Sequence, residues 1–163
     1  MGIKKYIFLT GIVSTVIFAG CRQEQDCLDY SILRGDIVRE IDLGECYGIM
    51  NEGSILISDT IKYKQLSTLA DTALTSQMGC GTNPPLPTID FDTYSLAGVL
   101  TSGTGCIVSY EREVTIDTIQ KIVKYNIGVH QCGNCNDKRY NMNWVLIHKV
   151  DSTYSMQSTI MQK

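Results

Sequence analysis

The sequence predicts an α+β fold, a mostly antiparallel β-sheet that carries one main helix and is stabilised by disulfides. Residues 106–129 alternate apolar and polar side chains with a period of two, which is typical of a half-buried β-hairpin. Apolar residues at helical spacing follow Ser58 and Asp59, which are favourable N-cap residues. Seven cysteines among 163 residues are many for a short chain, and they favour an oxidising compartment in which disulfides persist.

The first twenty residues have the composition of an export signal. Lys4 and Lys5 form a charged start, and residues 7–18 form an apolar stretch that is too short to span a bilayer. The small residues at 19 and 20 precede Cys21, and this ending resembles the lipobox of bacterial lipoproteins. The resemblance implies that the leader is cleaved before Cys21 and that acyl chains on Cys21 anchor the protein in a lipid bilayer. The alternative is an ordinary secretory signal followed by a chance cysteine.

These features predict three segments: a lipoprotein signal peptide at 1–20, a lipidated tether at 21–30 and a single β-rich domain at 31–163. Glu24 and Asp26 in the tether partly match the surface-export signal of Bacteroidota lipoproteins, so both the periplasmic side and the surface of the outer membrane stay open. Without Lys4 and Lys5 the chain has 12 basic and 17 acidic residues, a net charge of −5. A mildly acidic chain without a basic run argues against a nucleic-acid partner.

The N-terminal half predicts few regular elements. We expect an irregular strand at 38–43, a short strand at 55–57 and a helix at 60–74. The apolar stripe of that helix should pack on the sheet, and its members are Leu66, Leu69, Ala70 and Ala73. Two adjacent prolines make residues 79–87 a stiff surface connection, because each restricts its neighbour to extended backbone.

The C-terminal half predicts most of the sheet. We expect a strand at 94–100, a turn at 102–105, the hairpin at 106–129 and a polar loop at 130–141. The segment 144–150 is apolar on both faces, which predicts a strand in the middle of the sheet. A weaker strand is expected at 153–160.

The hairpin also predicts one disulfide. Its apolar face has even-numbered residues on the first arm and odd-numbered residues on the second. The numbers of two directly opposed residues therefore add up to an odd number, which we call the register sum. Cys106 should therefore pair with Cys135, at a register sum of 241, and not with Cys132. This register sets Val114 opposite Ile127 and requires a loop longer than two residues, since Gln120 and Lys121 do not favour a tight turn. The remaining predicted bridges are Cys27–Cys46 and Cys80–Cys132.

From Leu86 onward the chain has a proline-ended loop, Ile89-Asp90-Phe91 before a strand, a Gly-Thr-Gly turn, a hairpin and a final Asn-Trp-Val-Leu-Ile-x-Lys strand. This pattern resembles small Bacteroidota lipoproteins of uncharacterised role. More distantly, it is similar to the C-terminal domain of PrcB-type lipoproteins, which occur with surface protease complexes. The resemblance implies a binding or stabilising module at the cell envelope. His148 and the cysteines at 132 and 135 depart from the pattern.

The sharpest chemical motif is Cys132-Gly133-Asn134-Cys135. A redox pair would need its first thiol at a helix N-terminus, which the surrounding sequence does not predict. A zinc site could recruit His130 or His148. The interpretation that we favour is structural disulfides. We expect His148 to be a buried, hydrogen-bonded residue and His130 to be solvated.

Asp90 and Asp92 are expected to cap a turn rather than to act as an acid and base pair. The sequence thus assigns no catalytic residue, no metal ligand and no cofactor. We expect a non-enzymatic cell-envelope lipoprotein that binds or stabilises another envelope protein, with a protease complex as one candidate partner. The alternative is an extracytoplasmic enzyme that uses Cys132 and Cys135 as a redox pair or as zinc ligands.

Overall fold

A computed structural model of the protein describes residues 27–44, 47, 53–66 and 85–163. It contains eight strands and one short helix in these ranges. They are β1 (Ser31–Gly35), β2 (Ile37–Glu40), β3 (Ser54–Ile57), α1 (Thr60–Lys64), β4 (Tyr94–Thr104), β5 (Ile107–Asp117), β6 (Ile122–Cys132), β7 (Lys138–His148) and β8 (Ser155–Gln162). Strands make up 58% of the described residues.

The strands form two four-stranded sheets. Sheet A has the order β1-β5-β6-β8, and sheet B has the order β2-β7-β4-β3. Four of the six neighbouring pairs are antiparallel, and the β1–β5 and β6–β8 pairs are parallel. The predicted fold class is therefore confirmed: a mostly antiparallel β structure with one helix and disulfides. It has two sheets where we expected one.

The reason for the second sheet lies in β7, whose two faces are both apolar. Val145 and Ile147 point into a core between the two sheets, where they meet Val114, Tyr125 and their neighbours. A strand that is apolar on both faces needs cover on both sides. The hairpin face predicted to be apolar supplies the cover on the inner side, since Val114, Val123, Tyr125, Ile127 and Val129 are all fully buried there.

A second core covers the outer face of sheet B. Trp144 and Leu146 of β7 pack there against residues from α1 and from the irregular segments beside it. These residues include Leu43, Tyr63, Leu66 and Phe91. The predicted central strand is thus confirmed, although β7 begins earlier and ends at His148.

Helix α1 begins where the sequence predicts. The side chain of Asp59 accepts a hydrogen bond from the backbone N–H of Lys62 at 2.8 Å, which caps the first turn. Leu66 is fully buried, as its place in the apolar stripe predicts. Residues 67–74 of the expected helix lie outside the described residues. Across the described ranges, no helix is both long enough and apolar enough to cross a membrane.

The register of the hairpin differs from the predicted one. Val114 lies opposite Tyr125, which gives a sum of 239 where we expected 241. Both sums are odd and put the same side chains on the same faces, so the apolar pattern cannot tell them apart. Residues 118–121 form the loop between the strands, and Lys121 adopts a φ of 57° there. The expectation of a loop longer than two residues is confirmed.

Several element boundaries also differ. Residues 102–104 are strand and not turn, because they pair with Lys138, Arg139 and Tyr140 of β7; the turn follows at Gly105, with a φ of 138°. Only 133–137 remain of the polar loop expected at 130–141. Strand β2 ends at Glu40, short of the expected residue 43, and β1 was not expected at all. Strand β8 runs two residues past the predicted end.

Candidate functional site

Two disulfides tie together one end of sheet A. Cys106 is bonded to Cys135, which is the predicted partner. Cys27 is bonded to Cys132, so the expected Cys27–Cys46 and Cys80–Cys132 bridges are wrong. The physical reason is that the segment before β1 runs beside β5, which brings Cys27 to the end of β6. Cys21, Cys46 and Cys80 lie outside the described residues.

The Cys106–Cys135 bond does not arise from the register that we expected. At a sum of 239 the residue opposite Cys106 is Gly133, and the N–H of Cys106 donates to the carbonyl of Cys132 at 2.8 Å. Gly133 has a φ of 84°, and a Cβ added to it would lie 2.6 Å from the sulfur of Cys106. A glycine is therefore required at 133, both for the turn and for the space. This turn brings Cys135 back over the hairpin end.

These bonds bear on the chemistry considered for the C-x-x-C motif. Its two sulfurs belong to different disulfides, so neither is a thiol in this structure. His130 lies in sheet A, and His148 ends β7 in sheet B. His148 is exposed, which corrects the expectation of a buried histidine; the apolar core of β7 ends at Ile147. Among the described residues, no group of His, Cys, Asp and Glu could hold a metal ion.

A buried arginine is the main polar feature that the sequence interpretation missed. Arg112 occupies an inward position on β5 and is only 3% exposed. Its Nε donates to Oδ1 of Asn143 at 2.9 Å, and its Nη1 donates to the hydroxyl of Ser31 at 2.6 Å. Its Nη2 lies 3.0 Å from a carboxylate oxygen of Glu40. The sequence carried one signal for this role: Arg112 stands at an even-numbered position of β5, and the other even-numbered positions of that strand are apolar.

This cluster, which we name the Arg112 cluster, consists of Arg112, Asn143, Ser31 and Glu40. Ser31 belongs to β1 and Glu40 to β2, so the guanidinium links the edge strands of both sheets. Asn143 also donates to the carbonyl of Val99 and to the hydroxyl of Thr101. The two hydrogen bonds of the buried guanidinium, to Asn143 and Ser31, are charge-assisted, whereas its ion pair reaches a Glu40 side chain that is 41% exposed. The cluster closes one edge of the sandwich, and its partners leave the guanidinium little capacity for a ligand.

A second polar cluster lies on the outer face of sheet A. Lys163 donates to a carboxylate oxygen of Glu111 at 2.5 Å, and Nε2 of His130 lies 3.3 Å from the other oxygen without hydrogen-bond geometry. The Lys163 hydrogen bond lowers the pKa of Glu111. The ring of His130 packs at 5.4 Å from that of Tyr30. His130 is thus half-buried at a paired position, and the expectation that it is simply solvated is wrong.

The surface beside this cluster is too small for a typical ligand. The depression here has a volume of about 50 Å³, and it is lined by Arg34, Glu111, Arg112, Glu113, Asn126, Gly128 and Met161. Ligand pockets usually have volumes of roughly 300–1,000 Å³. The geometry here fits a few water molecules.

The expected turn role of Asp90 is confirmed. Its carboxylate accepts from the N–H of Asp92 at 3.0 Å and from the hydroxyl of Thr93 at 2.7 Å. The hydrogen bond from Thr93 is the main reason that the pKa of Asp90 is lowered. Lys149 holds the same loop, because its ammonium donates to the carbonyls of Phe91 and Ser58, each at 2.5 Å. These groups position the second core.

Strand β8 leaves one backbone edge open. Ser155 and Lys163 donate their N–H groups to Lys121 and Val129 on the β6 side, both at 2.9 Å. Because backbone groups alternate sides along a strand, those of the even residues point away from β6. We name these groups of Met156, Ser158, Ile160 and Gln162 the β8 edge. No described strand pairs with it.

Comparison with family models, with curated proteins and with solved structures gives no significant match to this chain.

Proposed function

We propose that the protein is exported and acylated at Cys21. It is held at the cell envelope, where it binds or stabilises another envelope protein without catalysing a reaction. The leader and the cysteine at its end support the anchor. The disulfides support export, because such bonds persist in oxidising compartments.

The observation that carries the proposal is the Cys27–Cys132 disulfide. Cys27 follows Cys21 by six positions, a span of at most roughly 20 Å even when fully extended. Because Cys27 is bonded to the end of β6, the anchor would hold that end of the sandwich close to the bilayer. A disulfide-linked β-sandwich held close to a membrane suits a protein that presents a binding surface to other membrane proteins.

The polar groups also support a non-enzymatic role, because their partners lie within the fold. The Arg112 cluster and the Asp90 turn use their charged side chains within the fold. The sulfurs of Cys132 and Cys135 are engaged with Cys27 and Cys106. These arrangements stabilise structure, and the resemblance to PrcB-type lipoproteins expected from the sequence pattern makes an envelope protease complex the first partner class to test.

The test is a pull-down of the tagged full-length chain from chemically cross-linked cells. We expect one protein, or a small fixed set, to be enriched with the chain. The matched control keeps residues 1–26 and replaces the sandwich with an unrelated exported domain, so it shares the leader, anchor and location. Equal recovery of every protein with the control would contradict specific binding.

Alkylation of the folded chain separates the enzyme alternative from this proposal. Labelled Cys132 and Cys135 peptides under non-reducing conditions would reveal reactive thiols and favour a redox or zinc site. We expect both peptides to remain unlabelled until a reductant is added.

A further inference from the structure

Among the described strands, β8 lacks the short length, charge and bulge that protect many free sheet edges. Natural edges are short, charged, bulged or covered, since an open edge pairs readily with another strand. Strand β2 has four residues, two of them charged, and a register irregularity between Ile37 and Arg39. Strands β1 and β3 have five and four residues. Strand β8 has eight residues, no charge and no proline.

The side chains of β8 are also open. Ile160 is 44% exposed and Met161 is 47% exposed. All residues of the strand except Met156 are exposed. A long, uncharged edge with apolar side chains, which no described strand pairs with, is a favourable site for another strand, because a strand offers a matching row of alternating backbone donors and acceptors.

We propose that β8 pairs antiparallel with β8 of a second copy of this chain, about a two-fold axis at Thr159. The inference goes beyond the proposed function and does not depend on the anchor. Opposed residues then have a sum of 318, so Met156 faces Gln162 and Ser158 faces Ile160 of the other copy. Every residue of the β8 edge lies in a hydrogen-bonded pair, which gives about eight backbone bonds. Shifting the register by one pair in either direction would leave part of the edge unpaired.

The side chains of β8 fit this register. Thr159 of one chain lies opposite Thr159 of the other chain at the axis, and paired threonines are favourable cross-strand neighbours. Gln157 faces Met161, and Ser155 faces Lys163, so no like charges oppose each other. The contact is the same on both copies, so it closes as a dimer and does not extend into a fibre.

The first test is cysteine cross-linking of the full-length chain in isolated envelopes. Thr159 would lie in a non-hydrogen-bonded pair, where the two Cα atoms are about 4.5 Å apart, a separation that a disulfide spans. We expect Thr159→Cys to give a covalent dimer on a non-reducing gel. Thr118→Cys is the matched control, since Thr118 is exposed in the β5–β6 loop and does not belong to the β8 edge.

The same chemistry tests the register. Gln157→Cys and Met161→Cys should each fail to cross-link alone, because each faces the other residue across the axis. Co-expressed, the two variants should give a mixed dimer. A Thr159→Cys yield no higher than that of Thr118→Cys would overturn the proposal. So would a bond from residue 159 to another protein, or to Cys46 or Cys80 of the same chain, since either would identify a different occupant of the edge.

The second test is the mass of the full-length protein in detergent. Ser158→Pro removes an N–H that points away from β6, so the fold keeps its ladder while the dimer loses hydrogen bonds. We expect a dimer for the wild type and for the control Ser158→Ala, and a monomer for Ser158→Pro. Should Ser158→Pro fail to fold, Thr159→Lys replaces it, because it sets like charges opposite each other at the axis. A wild-type monomer, or a dimer that persists in the folded variants, would contradict the proposal.

Discussion

Trp144 is the largest of the fully buried side chains, at 2% exposure, and it organises the second core. Its ring lies over Gly98 of β4, where an added Cβ would come within 2.2 Å of the ring. Glycine at 98 therefore makes room for tryptophan at 144. The sequence predicted that Trp144 is buried, since it lies in a segment that is apolar on both faces, but the partnership with Gly98 depends on the pairing of β4 with β7.

Replacing Trp144 with alanine should cost about 3–5 kcal/mol of unfolding free energy, because the aromatic contacts are lost and a cavity remains. Urea unfolding would measure the change. The control is Ile119→Ala in the β5–β6 loop, where Ile119 is 94% exposed and the expected change is within about 0.5 kcal/mol. A cost below about 1 kcal/mol for Trp144→Ala would contradict the tight packing of Trp144 in the second core.

Glu111 makes a pH-dependent contribution through Lys163. Its pKa is lowered, first by the hydrogen bond from Lys163 and then by nearby positive charges. A carboxyl with a lowered pKa in the folded state stabilises the protein above its unfolded pKa, and this contribution is lost as the pH falls through the folded pKa. Lys163→Met should therefore raise the pKa of Glu111 toward its ordinary value.

An NMR titration of the Glu111 carboxyl carbon would measure that pKa. The matched control is Lys121→Met, which removes the contact between Lys121 and Asp151 at 3.7 Å and should leave the pKa of Glu111 unchanged. An unchanged titration of Glu111 in Lys163→Met would show that the Lys163 hydrogen bond is not the main cause.

At the scale of elements, the β5–β6 hairpin was the most predictable part of the fold. Its two faces follow from the alternation of the residues, because that alternation is local. Its register does not, since sums of 239 and 241 bury the same face. Strand β1 was not predicted because it is short and mostly exposed, and its strand conformation depends on parallel pairing with β5. Arg112 was missed for a related reason, since its partners on β1 and β2 are supplied by those edge strands.

The two disulfides should contribute unequally to stability. In the chain-entropy description a bridge restricts the unfolded chain more when it closes a longer loop. The Cys27–Cys132 bridge spans 105 residues, and the Cys106–Cys135 bridge spans 29. We expect the loss of Cys27–Cys132 to cost roughly 1 kcal/mol more than the loss of Cys106–Cys135.

Denaturant unfolding of the two double-serine variants, under non-reducing conditions, would measure this difference. Peptide mapping of each variant must show that the other bridge is intact. The reverse order of stability would mean that native-state contacts near Cys106, and not the unfolded chain, dominate the effect.

At the scale of the whole molecule, the tether and the proposed dimer constrain each other. The two-fold axis at Thr159 places the Cys27 ends of the two copies at opposite ends of the dimer. Tethers of roughly 20 Å are shorter than strands of eleven residues, which extend about 36 Å. If the chain is anchored and dimeric as proposed, both anchors would reach one bilayer only when the strands run along its surface.

The anchor itself is tested by Cys21→Ser. We expect an uncleaved or misprocessed precursor and no labelling with a radioactive fatty acid, because the acylated thiol is gone. Cys27→Ser is the control, since it removes a nearby cysteine and should keep the label. Continued labelling of Cys21→Ser would show that the leader is not a lipoprotein signal.

The sequence by itself determined the fold class, the buried face of the hairpin, the apolar central strand and the Asp59 cap, because each depends on residues close together in the chain. The tertiary structure decided the second sheet, the register, the partner of Cys27 and the role of Arg112. Each of these depends on which distant segment lies alongside, and strand pairings with the same face pattern are indistinguishable in a local pattern. Cys27 is bonded to Cys132, 105 positions away, because β1 pairs with β5. The side-chain pattern of neither strand specifies that pairing.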